Sequence, residues 1–148
     1  MRDMNSYAKA VAVVDPAVID DAAPVVSAAI DLQGFEAAVF LAHIGASADT
    51  LSGTVYFDFL LEHAPDDGSG AAGTYAAVAA TDVVGVTPAD GVVLTVDAPG
   101  EEEQVYQWGY IGGKRFLRLT ITPEGTHANG TPMSVAMLKM LPNFVPVA

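Results

Sequence analysis

The chain has 148 residues, 6 Lys plus Arg against 18 Asp plus Glu, a formal charge of −12 and no cysteine. The length fits one domain that can bury roughly two-thirds of its unfolded surface without a metal or a disulfide. The charge argues against nucleic acid and anionic membrane as partners, since both repel a protein of this sign; the lack of cysteine excludes thiol catalysis, a zinc-thiolate site and a disulfide scaffold.

Residues 1–10 hold no uninterrupted apolar stretch, because Asp3 and Asn5 break it, so no secretory leader is expected. No run approaches the ~18–20 apolar residues of a membrane-spanning helix. Asp15-Pro16 stops the first apolar run, so residues 1–24 read as an N-terminal arm. The β-like segments follow between turn signals: 25–32 after Pro24, 35–44 ending at Gly45, and 54–62. In the last of these, Val55, Phe57, Phe59 and Leu61 share one face while Tyr56, Asp58, Leu60 and Glu62 share the other. The stretch 64–73, rich in Pro, Asp and Gly, is the clearest loop. Segments 74–79, 92–97, 104–111, 115–122 and 133–141 complete the set, with Gly112-Gly113 as a two-residue hairpin signal between 104–111 and 115–122. Alanine-dense stretches at 16–23 and 76–84 are the places where a helix is admissible. About eight regularly spaced strands predict an all-β, single-domain antiparallel β-sandwich of jelly-roll or immunoglobulin-like type over 25–141, with extended arms at both ends and a C-terminal tail over 142–148. Alanine supplies much of the apolar share and buries little area, so the core must rest on the larger residues.

The side chains offer little chemistry. His43, His63 and His127 lack the short spacing of a metalloprotease motif, and no Gly-x-Ser-x-Gly elbow is present. The pairs Asp20-Asp21 and Asp66-Asp67 and the run Glu101-Glu102-Glu103 fit solvated turns better than a glycosidase pair. Asp66-Asp67-Gly68-Ser69 has part of a calcium-loop pattern without the ligand alternation or the distal Glu. No catalytic residue, metal or cofactor is expected, and the chain reads as a non-enzyme.

Two groups remain as candidate partner contacts. Half of the six positive charges, Lys114, Arg115 and Arg118, fall in one short stretch. They pair with carboxylates such as Asp58 or Glu62 on neighbouring strands, or they grip an acidic partner; an arginine within a strand favours the first. Tyr106, Trp108 and Tyr110 alternate along one strand and share a face, which would stack on sugar rings if exposed and pack a core or an interface if not. Phe144, set between prolines in the tail, could dock into a groove.

Several stretches taken in order resemble a known group. These are Gly34-Phe35-Glu36-Ala37-Ala38-Val39-Phe40, then Ile44-Gly45, and Leu60-Leu61-Glu62-His63 running into Asp66-Asp67-Gly68-Ser69. Tyr75-Ala76-Ala77-Val78 follows, then Tyr110-Ile111-Gly112-Gly113-Lys114-Arg115-Phe116-Leu117-Arg118, and a turn from Gly125-Thr126 to Gly130-Thr131-Pro132. Together they resemble the small proteins encoded beside the capsid gene of tailed phages, prophages and gene-transfer-agent-like particles. The resemblance spans 25–146. It departs from the group's pattern in the added Gly70-Ala71-Ala72-Gly73, in Phe116 for a usual Tyr, and in His63 for a usual Ser or Thr. It implies a capsid decoration (cement) protein, made in the host cytoplasm and carried on the outer surface of the virion, that clamps major capsid subunits together. It further implies a small homo-oligomer, most often a trimer. The alternatives are a carbohydrate-binding β-sandwich and a head spike or adhesin.

Overall fold

The computed structural model describes residues 3–144. Two antiparallel sheets pack face to face as a β-sandwich, and the described residues contain eleven strands, more than the eight expected. Sheet A holds β1 (Ala8–Ile19), β11 (Thr131–Pro142), β4 (Phe35–Ile44), β9 (Gln104–Tyr110) and β7 (Val83–Val84), in that spatial order. Sheet B is built on β10 (Phe116–Glu124) and β5 (Tyr56–Ala64). The short β2 (Val25–Val26) and β3 (Ile30–Asp31) flank β10, while β6 (Ala76–Ala77) and β8 (Val92–Val96) flank β5. No helix among the described residues is long and apolar enough to cross a membrane.

The core lies between the sheets. Sheet A contributes Phe40, Ala42, Ile44, Trp108, Tyr110, Val135 and Met137; sheet B contributes Phe57, Phe59, Leu61, Leu117, Leu119 and Ile121, and all are buried. Phe40 and Trp108 are cross-strand partners whose rings stack 5.4 Å apart and 7° from parallel. The alternation predicted for Phe57, Phe59 and Leu61 is therefore the inner face of β5.

The differences from expectation have local causes. The segment expected as an N-terminal arm contains β1, an edge strand paired with β11 along most of its length. Asp15-Pro16 does not end it, because two register shifts absorb the interruption and an edge strand tolerates a proline that lacks an N–H. No helix forms at 16–23 or 76–84; the second stretch holds β6 and β7 instead. Segment 25–32 splits into β2 and β3 because Ser27 bonds twice to Leu119. Its N–H donates to the Leu119 carbonyl at 2.8 Å, and its Oγ accepts the Leu119 N–H at 3.0 Å. Gly112-Gly113 closes no hairpin. The strand before it pairs with β4 and β7 in sheet A, and the strand after it pairs with β5 in sheet B, so the turn is a corner crossing between the sheets. The tail beyond Phe144 lies outside the described residues.

Candidate partner-binding surfaces

The sandwich sorts the seven candidate contact residues into three places. Trp108 and Tyr110 are buried, and Tyr106 is partly buried against the core with its hydroxyl donating to the Glu101 carbonyl at 2.9 Å. This row faces the inner side of sheet A, because Trp108 and Tyr110 pair with the inward Phe40 and Ala38. The three aromatics thus form no exposed stacking platform, which corrects their candidacy as partner contacts and removes the basis for a sugar-binding face. Tyr110 is also fully employed as a polar group. Its hydroxyl accepts the Lys114 N–H at 3.2 Å and lies within hydrogen-bond distance of His63 Nδ1, at 3.0 Å. Burial pushes the Tyr110 phenol up to about 12.

The arginines are tied internally. Arg118 Nε and Nη2 both donate to one oxygen of Glu62, at 2.9 and 2.7 Å, and its guanidinium lies 4.0 Å over the Tyr75 ring. That is the internal pairing the sequence favoured for Glu62; Asp58 accepts from Thr95 Oγ1 instead. Arg115 binds Asp31 bidentately, Nε to Oδ1 and Nη2 to Oδ2, both at 2.8 Å, and also reaches Asp66 and Gln33. Lys139 of sheet A points inward and donates to the Asp31 carbonyl, so this polar cluster spans both layers. Burial lowers the Lys139 ammonium.

The Arg115 guanidinium holds the Asp31 carboxyl below the usual carboxylate range, with the Gln33 N–H adding to the effect. A folded-state value below the unfolded one means that the contribution to stability is complete above pH about 4 and is lost as pH falls through the folded value. The gap in thermal midpoint between wild type and Asp31→Asn is therefore expected to be widest at neutral pH and to narrow as pH falls below about 4. A gap that does not change with pH would refute this.

Lys114 and Phe144 remain exposed, Phe144 at 86%. They share one end of the sandwich with the turn at 32–36, tied by the Asn143 N–H donating to the Gly34 carbonyl at 2.9 Å. Leu141, 62% exposed, sits there in left-handed backbone geometry with φ of 54°. The histidines do not converge. His43 faces out from sheet A, His63 meets Tyr110, and His127 is buried, its Nε2 within reach of the Tyr56 and Glu124 carbonyls. Asp66 and Asp67 accept N–H groups of their own loop, from Gly68, Gly70, Ser69 and Ala71. No group of three metal-capable side chains occurs among the described residues.

One surface feature went unread in the sequence. The outward positions of β4 are Ala37, Val39, Leu41 and His43; those of β11 are Ser134, Ala136, Leu138 and Met140; those of β9 are Val105, Gln107 and Gly109. None of these is Asp, Glu, Lys or Arg. The outward side of sheet B contrasts with this: Asp58, Glu62, Arg118, Thr120, Thr122 and Glu124 face solvent there. The signal was the nearly unbroken apolar run of 37–42, which marks a strand with apolar residues on both faces rather than one. Comparison with protein-family models, with curated proteins and with solved structures finds no match.

Proposed function

We propose that this protein is a structural component of a phage-like particle: a capsid decoration protein on the outer surface of the head that binds the major capsid protein and braces neighbouring subunits. The carrying observation is the outward side of β4, β9 and β11, which bears no Asp, Glu, Lys or Arg on a chain of charge −12. Contiguous apolar patches on soluble domains beyond about 300–600 Å² mark interaction sites, and a part made for assembly is the simplest reason to keep one. The motif order described above supplies the class of assembly. The acidic remainder suits an outward coat that repels DNA and keeps particles dispersed.

The end that gathers Lys114, Leu141 and Phe144 is the contact proposed for the shell, an apolar protrusion beside a free cationic side chain. Purified protein mixed with expanded, undecorated heads is expected to sediment with them saturably, at a fixed ratio per capsid subunit. Phe144→Asp combined with Lys114→Glu is expected to weaken that binding at least about tenfold, the effect of losing a central anchor. Wild-type protein that stays in the supernatant would overturn the proposal.

A further inference from the structure

The outer face of sheet A fits a second copy of this chain. We propose that two molecules pack this face against itself about a two-fold axis running along β4; the inference rests on reading the chain as an assembly component. The first argument is charge. Two molecules of charge −12 repel wherever their carboxylates meet, but the outward positions of β4, β9 and β11 carry none. Neither an acidic nor a basic partner would find a complement there, whereas an identical face would.

The second argument is size. The three strands that overlap, β11, β4 and β9, at about 4.8 Å spacing and about nine residues at about 3.3 Å each, give a face of roughly 15 by 30 Å. That is about 450 Å² before side-chain relief is added, within the class of small interfaces that bury less than about 600 Å² per partner.

The third is relief. One row across the sheet reads Ala10, Leu138, Val39, Gly109, Val84. Leu138 makes a ridge on one side of β4. On the other side Gly109 leaves a hollow of about 300 Å³, edged by Val39, Val84 and Ile111. Turning one copy over about an axis along β4 lays the β11 of each molecule on the β9 of the other, so each Leu138 enters the Gly109 hollow opposite. This is the same patch used twice, as a two-fold contact requires, and it takes the place of the trimer implied by the resemblance.

Sedimentation equilibrium of the full chain alone is expected to give twice the 15.3 kDa chain mass at micromolar concentration. Association is expected to tighten from about 50 to about 500 mM salt, because salt screens the repulsion and leaves the apolar contact. Val39→Glu and Leu138→Glu are each expected to weaken it at least about tenfold by placing an unpaired charge in the contact. Thr122→Glu, which adds the same charge to the outer face of sheet B, is expected to leave the pair intact. In the otherwise cysteine-free chain, Leu41→Cys is expected to be linked into dimers by a short bismaleimide and Thr122→Cys is not, a readout independent of how the charged variants fold. A monomeric or trimeric wild type, a pair that survives both Glu substitutions, or linkage through Thr122→Cys would overturn the inference. No head is present in these measurements, so a monomer refutes the pairing alone, and a pair that ignores undecorated heads refutes the shell-binding role alone.

Discussion

Trp108→Ala is expected to lower the unfolding free energy by about 3–5 kcal/mol, the range for removing a large buried aromatic. Trp108 is 1% exposed and stacks on Phe40 at the centre of sheet A's inner face, so its removal leaves a cavity between the layers and an unstacked Phe40. Denaturant titration of the purified variant measures the effect. Trp108→Phe is expected to lose much less, because the indole Nε1 has no hydrogen-bond partner in the core and most of the ring contact is kept. A small loss in the alanine variant would place the ring outside the core and restore the case for a sugar-stacking face.

Gly125→Ala is expected to destabilise by more than about 2 kcal/mol although the position is exposed. Gly125 has φ of 85°, which a non-glycine residue adopts at a cost of about 1–2 kcal/mol. A Cβ there would lie 2.2 Å from the Thr54 carbonyl oxygen, backbone that cannot move aside without shifting the turn leading into β5. The same substitution at Gly113, where a Cβ meets nothing within 4 Å, is expected to cost less than about 0.5 kcal/mol, the usual range for a surface change. Equal losses at the two sites would mean that the close approach at Thr54 is not what constrains the turn.

The strands that alternate or run apolar without a break were legible as sequence. The segment expected at 35–44 is β4 (Phe35–Ile44), and those expected at 92–97, 104–111 and 115–122 shift by two residues at most. What alternation could not convey was membership of a sheet. The Tyr106, Trp108 and Tyr110 row has the same period whether it faces in or out; only its pairing with β4 places it inside. Likewise two glycines between two strands give the same local signal for a hairpin and for a corner between layers. β1 was hidden because Asp15 and Pro16 are strong breakers in isolation, and only a bulged edge position accommodates them. For the arginines, Glu62 was legible as a partner because it lies on the facing strand. Asp31 and Lys139 were not, since they reach Arg115's neighbourhood from elements distant in sequence and, for Lys139, from the other sheet.

The register that joins the two ends of the chain has a kinetic consequence. Ala8 lies opposite Met140, so β1 and β11 pair almost the first residues described with almost the last, and that closure carries the greatest loop entropy in the fold. Sheet A is thus expected to be the slower layer to form, with β1 zipping on after the β5–β10 layer and the β4–β9 pair are in place. The same edge is expected to open first in the native protein, and amide exchange along β1 should outrun that of β10. A chain caught before this step leaves the long β11 strand as an unpaired sheet edge, open to pairing with another chain.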